Sequence, residues 1–203
     1  RVYSAKELAR LPVHEQENSF QLEKDYSAKG ISGKGISEVF PTSAPISLYG
    51  ASKLASETLI LEYGESFDFP VWINRCGVLA GAGQFGKADQ GIFSYWIHSF
   101  REKRPLKYIG FGGSGHQVRD ALHPKDLVPL LIRQMQEPDR NAPRTINLGG
   151  GIENSMSLKQ LSAWCEERFA SIEVITSTEE RPMDAPWIVM DSSLANQTWD
   201  WLP

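Results

Sequence analysis

Tyr49 and Lys53 stand four positions apart in "SLYGASKLASETLILEY" (residues 47–63), at the head of an apolar, helix-forming run. Residues four apart share one helical face. A phenol titrates near ~10, too high for a base at neutral pH. An ammonium beside it favours the phenolate, lowers that value, and has donors left for a ribose hydroxyl. Such a pair suits the removal of a proton from a sugar hydroxyl while hydride leaves the same carbon. The spacing alone also describes two surface side chains on an ordinary helix, so context must decide.

Other chemistry-bearing residues are sparser. "GAGQFG" satisfies G-x-G-x-x-G at Gly81, Gly83 and Gly86 and follows an apolar strand. A dinucleotide cradle needs a helix opening within the loop, then an acid ~20 residues on at the end of a second strand. Here "KADQ" prolongs the loop, and "REKRPLKYIG" closes on no acid. A flexible rim beside a site is the better expectation. The four histidines and the two cysteines, Cys76 and Cys165, are scattered. They form neither a zinc spacing nor a disulfide framework, so no metal is expected. His98 sits in an aromatic helix and is expected to pack. His116 and His123 are expected to make structural hydrogen bonds, and Cys165 to be a small core residue.

The elements that must position these groups follow from pattern. Residues 4–46, with "KGISGKGISE" and "PTSAP", look like a long polar connection that covers a site or is partly disordered. A helix is predicted over 50–64, then a single buried strand over "PVWINRCGVLA". "QGIFSYWIHSFREK" is predicted helical, "PLKYIGFG" and "HQVRDALH" extended. "HPKDLVPLLIRQMQ" is a helix with Pro124 in its first turn. "RTINLGG" is a strand, "SLKQLSAWCEERF" a helix capped by Ser157, and "IEVITS" a strand before an irregular C-terminal stretch. Strands alternating with helices indicate an α/β protein with a mostly parallel sheet.

Bulk composition agrees. The 203 residues are 41% hydrophobic and 23% charged, the make-up of a globular protein. A formal charge of −4 provides no basic surface for nucleic acid. No apolar run approaches the ~20 residues of a membrane span. With no signal-peptide core and no disulfide pattern, a cytoplasmic setting is expected.

Several ordered motifs then resemble the extended short-chain dehydrogenase/reductase family, the nucleotide-sugar epimerases and dehydratases. "FPTSAPISLYGASKLASE" is similar to its P-x-S-x-Y-G-x-S-K-x-x-x-E segment. "INRCGVLAGAGQF" is similar to its R-x-x-N-x-x-G-P-x-Q strand, and "QVRDALHPKDL" to R-D-x-x-x-V-x-D. "ERPMDAPWIVMDSSLANQTWDWLP" resembles its C-terminal R-x-G-D…D…L-G-W-x-P. The likeness runs from residue 1 to residue 203. The long insert and the "NRCGVLAGAGQFGKADQGIF" wording look most like an epimerase acting at C2 of a CDP-linked sugar.

The resemblance implies a fold and roles. The fold is the C-terminal part of a Rossmann-like doubly wound parallel sheet plus a smaller α/β substrate-binding domain. Residues 1–80 would belong to the NAD-binding domain, and 81–203 mainly to the nucleotide-sugar domain. Tyr49 would be the base, and Lys53 would lower its pKa and hold the nicotinamide ribose. Cys76 would line the nicotinamide pocket. Gln90 and Arg119 would meet the sugar diphosphate, where a permanently charged fork suits phosphate oxygens. Arg181 and Asp184 would hold the nucleotide end. A local Arg119–Asp120 ion pair is the plainer alternative.

Departures qualify this. Val78 stands where the family carries Asn, and Ala82 where it carries Pro. The glycine-rich NAD loop and the Ser/Thr that assists the tyrosine would precede Val2-Tyr3, so the chain is expected to be the C-terminal two-thirds of an enzyme and inactive alone. A 4,6-dehydratase would show an Asp-Glu pair before that V-Y, where this chain has Arg1. A chain that only binds nucleotide sugar is the non-enzymatic alternative. A homo-oligomer is expected for the whole protein, with Leu54, Leu59 and Leu61 offering apolar surface.

Overall fold

Two serines, Ser47 and Ser157, set helix starts by accepting a backbone N–H of the first turn. A computed structural model describes residues 2–88 and 90–203. Arg1 lies outside them, and so does the comparison made at that position. α1 (Ala5–Ala9) is followed by the antiparallel hairpin of β1 (Val13–Gln16) and β2 (Ser19–Leu22), and then the small hairpin of β3 (Ile31–Ser32) and β4 (Gly35–Ile36). α2 (Leu48–Ser66) leads to β5 (Ile73–Cys76), β6 (Val78–Leu79) and α3 (Ile92–Arg101). β7 (Leu106–Tyr108), β8 (Val118–Leu122), α4 (Pro124–Gln136) and β9 (Thr145–Leu148) come next. β10 (Ser155–Ser157), α5 (Leu158–Glu166), β11 (Val174–Thr176), β12 (Trp187–Ile188) and α6 (Ser193–Trp199) complete the order.

β5 pairs in parallel with β9, and β7 with β11. β8 takes β12 and β6 in parallel and β10 antiparallel. The expected α/β architecture with parallel pairing is present. Ser157 caps α5 through a capping box with Gln160. His123 caps α4 by accepting from Lys125 N, with Pro124 where its missing N–H costs nothing.

The structure corrects several expectations. Residues 4–46 carry α1 and two hairpins, and together with Tyr3 they supply core. Tyr3, Leu8, Ile31, Ile36 and Phe40 are buried with Val118, Trp187 and Val189. Glu17 and Asn18 both adopt positive φ, the geometry that matches a two-residue turn to strand twist. The predicted single strand over 70–80 breaks at Gly77. A Cβ there would lie 2.8 Å from the Asp120 carboxylate, so β5 and β6 part around it and pair with different neighbours. The C-terminal stretch is irregular only in part: Trp187 and Trp199 anchor β12 and α6 in the core. The "GAGQFG" loop is pinned: Gln84 donates to Leu79 O at 2.9 Å and accepts from Ser94 at 2.6 Å. His98 is exposed, whereas Cys165 is buried as expected.

Candidate active site and substrate-binding residues

Ser47 fixes the start of α2, its Oγ accepting from Gly50 N at 3.1 Å. The first turns of the helix therefore carry Tyr49 and Lys53 on one side. Lys53 Nζ lies 5.5 Å from the centre of the Tyr49 ring. Tyr49 is 63% exposed, open to a partner molecule.

α2 is a largely exposed helix held at few points. Leu54 packs on the core, Gly50 and Gly64 are buried, and Glu57 makes the polar attachment. Arg75 on β5 grips both oxygens of Glu57, Nε reaching Oε1 at 3.0 Å and Oε2 at 3.2 Å and Nη2 reaching Oε2 at 2.6 Å. Its Nη1 donates to Tyr3 Oη at 3.3 Å and to Glu38 O at 3.4 Å. Tyr3 in turn donates to Asn147 Oδ1 at 2.6 Å, and Asn147 donates to Ile36 O and, through its backbone, to Glu38 Oε1. Burial pushes the Tyr3 phenol above its ordinary range, so it serves as a neutral donor. Cys76 follows Arg75 at the end of β5, exposed, its thiol 3.6 Å from Asn74 O.

A second group forms around β8, whose alternation buries Val118, Asp120 and Leu122 and turns Arg119 to the other face. Arg119 and Asp120 therefore do not pair with each other. Arg119 Nη2 reaches Asp184 Oδ1 at 2.7 Å, and Nη1 donates to Val118 O at 2.7 Å. Asp184 also accepts from Ala185 N at 2.9 Å. Arg181 accepts a backbone bond from Asp184 and, like Asp184, flanks Gly110. The structure thus gathers Arg119, Arg181 and Asp184, while Tyr49, Lys53 and Cys76 belong to α2 and β5. Gln90 is exposed on the loop before α3, exchanging backbone bonds with Lys87. His116 lies 3.4 Å from Glu15 and against the Phe20 ring.

Asp120 is 1% exposed and has one oxygen without a partner, while Oδ2 accepts from Met190 N at 3.3 Å. Burial raises its carboxyl to about 6, opposed by backbone N–H groups that include those of Gly150 and Gly151. A Cβ at Gly149 would meet Oδ2 at 2.1 Å, so only glycine fits there.

Sequence reasoning missed Tyr3, Glu57, Arg75 and Asn147 as a set. An arginine inside the apolar run "PVWINRCGVLA" was the available signal, because a charge in such a strand must find a partner. Among the described residues no group of three His, Cys, Asp or Glu side chains could hold a metal ion. No helix among them is long and apolar enough to cross a membrane.

Residues 26–149, which contain Tyr49, Lys53, Cys76 and Arg119, match the family model described as "NAD dependent epimerase/dehydratase family". The chain belongs to that family. It is 30% identical over 162 residues to CDP-paratose 2-epimerase of Salmonella typhi, covering 76% of this chain and 46% of that protein. To dTDP-glucose 4,6-dehydratase of Neisseria gonorrhoeae it is 26% identical over 170 residues, covering 79% and 47%. The crystal structure of UDP-glucuronic acid 4-epimerase from Bacillus cereus, in complex with UDP-glucuronic acid and NAD, is similar with a TM-score of 0.69. That match has 23% identity and covers 86% of this chain and 53% of that one. The fold is accordingly the mixed α/β, Rossmann-type fold of such epimerases, with parallel strand pairing. The chain spans about half the length of the curated relatives it matches.

Proposed function

We propose that this chain is the part of an NAD-dependent nucleotide-sugar epimerase that carries the acid–base pair and the grip on the nucleotide sugar. The observation that carries the reading is the exposed Tyr49 with the Lys53 ammonium 5.5 Å from its ring centre, inside the family's matched span. The proposed substrate is CDP-paratose and the proposed carbon C2, a choice supported by the likeness to the Salmonella typhi 2-epimerase. Residues 1–80 are assigned to the cofactor domain and 81–203 mainly to the sugar-nucleotide domain.

The residues present fit the nicotinamide end of NAD. Lys53 offers ammonium donors for a ribose, and the exposed end of β5 at Cys76 leaves room for a flat ring. They do not fit its pyrophosphate at "GAGQFG". A Cβ at Gly86 would lie 2.2 Å from Tyr95 N, so backbone fills the space that a phosphate would need. That grip is assigned to sequence which the relatives have beyond this chain's match, and the 203 residues alone are expected to bind NAD weakly and to be inactive. Bound NAD would accept hydride from the sugar carbon and return it to the other face.

Tyr49 takes the proton from the sugar hydroxyl and later gives it back, with Lys53 stabilising the phenolate. Arg119, oriented by Asp184, meets the diphosphate together with Gln90, while Arg181 and Asp184 face the nucleotide end. A cytoplasmic setting is proposed, with Cys76 and Cys165 both free. The whole protein is proposed to be a homodimer, supported by the exposed Leu59, Ile60 and Tyr63 of α2. Leu54, half-buried against the core, contributes less to that surface than the sequence suggests.

The test is conversion of CDP-paratose to its C2 epimer by the full-length enzyme, followed by proton NMR, with UDP-glucose and dTDP-glucose as controls. The likeness to the Neisseria gonorrhoeae dehydratase gives the second reading. Loss of water from dTDP-glucose in place of epimerisation would decide for it.

A further inference from the structure

Tyr49, Lys53 and Glu57 succeed one another at intervals of four along α2, so the Lys53 ammonium stands between a phenol and a carboxylate. On an isolated helix the carboxylate would win, because a full opposite charge attracts more strongly than an aromatic face. In the folded chain Lys53 lies over the Tyr49 ring. Glu57 is turned away, with both oxygens bonded to Arg75 and its side chain only 13% exposed.

We propose that Arg75 is a positioning residue for the acid–base pair: by holding both oxygens of Glu57 it keeps that carboxylate off Lys53 and leaves the ammonium to Tyr49. The inference rests on the reading of Tyr49 and Lys53 given above. Arg75 is suited to the task because its planar fork matches a carboxylate with two parallel bonds. It is also held in place. Its strand position pairs with Asn147, its guanidinium carbon lies 5.2 Å from the centre of the Tyr3 ring, and Tyr3 Oη and Glu38 O accept from its Nη1. Among the described residues Arg75 from β5 is bonded to Glu57, Tyr3 and Glu38 of the N-terminal segment accept from that same Arg75, and Lys53 lies four positions before Glu57 on its own helix.

The measurement is the pH midpoint of Tyr49 in the 203-residue chain. It is followed by the 13Cζ resonance of labelled tyrosine and assigned with Tyr49→Phe. Arg75→Met frees Glu57 to turn to Lys53, and the midpoint should rise measurably above that of the unmodified chain. Arg75→Met/Glu57→Gln removes the competitor, and the midpoint should return to that of the unmodified chain. Arg75→Lys keeps a charge near Glu57 without the two-point grip, and should fall between. If Arg75→Met alone fails to fold, the other two variants carry the test. A lower melting temperature with an unchanged midpoint would make Arg75 merely structural and overturn the proposal. So would a raised midpoint that persists in the double variant. Failure of the base assignment reads out separately, as full turnover by the Tyr49→Phe enzyme.

Discussion

Tyr3 donates a 2.6 Å hydrogen bond to Oδ1 of Asn147, 144 positions further along the chain, with both side chains almost wholly buried. The bond ties the N-terminal segment to β9, the strand that pairs with β5 and so stands behind Arg75 and the end of the site. Tyr3→Phe keeps the ring and removes the donor, leaving a buried amide oxygen unpaired. The expected loss is about 1–3 kcal/mol of folding stability. Urea unfolding checks it, and a loss under about 0.5 kcal/mol would mean the bond contributes little.

Asp120 predicts a pH dependence. Its folded-state value of about 6 lies above the ordinary 3.8, so folding favours the neutral acid. Its favourable contribution is fully present below about 3.8 and is lost as pH rises through about 6. That gap corresponds to a few kcal/mol, ~1.36 for each unit of pKa. Asp120→Asn keeps an oxygen for Met190 N and removes the titration. The variant's stability relative to the parent should therefore rise between pH 4 and pH 7. Parallel curves for the two proteins across that range would show that Asp120 does not titrate as described.

What could be read from sequence was local. Ser157 announced a helix N-cap, Pro124 a first helical turn, and the periodic runs gave α3, α4 and α5 nearly to their ends. What could not be read depended on distant groups. Gly77 looks like any residue in an apolar run until the Asp120 carboxylate is found where its side chain would be. The Glu17–Asn18 turn has no glycine, and the strands it joins are mostly polar, so the hairpin carries no alternating signature. The Arg119–Asp184 pair follows from no spacing rule, because 65 positions separate them, and the motif resemblance gave the two residues separate roles. The Glu57–Arg75–Tyr3–Asn147 network spans still longer separations, and only the arginine within an apolar strand hinted at it.

Arg119 provides a binding prediction for the proposed epimerase. Arg119→Ala should weaken the nucleotide sugar by 10-fold or more while changing kcat less, because diphosphate contacts act on ground state and transition state alike. Arg119→Lys should recover only part of the affinity, since a point charge cannot reproduce the fork set by Asp184 and Val118 O. Calorimetric titration with the substrate's nucleoside diphosphate separates affinity from turnover. Unchanged affinity in Arg119→Ala would remove Arg119 from the proposed substrate site.

The decisive variants are those of the helix pair. Tyr49→Phe in the full-length enzyme removes one oxygen from a side chain that is 63% exposed, so folding should be unaffected. Turnover should fall by about 10²–10⁴, the usual effect of deleting a positioned acid–base group. Affinity for nucleotide sugar should stay within about threefold, because the phenol acts mainly as charge moves. Lys53→Ala should lower turnover and also weaken NAD, since one ammonium is asked both to favour the phenolate and to hold the ribose. Two ordinary surface side chains would instead give stability changes within about 0.5 kcal/mol and no kinetic effect. Turnover measured as epimer formation, and NAD affinity measured by fluorescence quenching, distinguish these patterns. An active Tyr49→Phe enzyme would leave α2 as a structural helix and would require the proton to be moved from elsewhere.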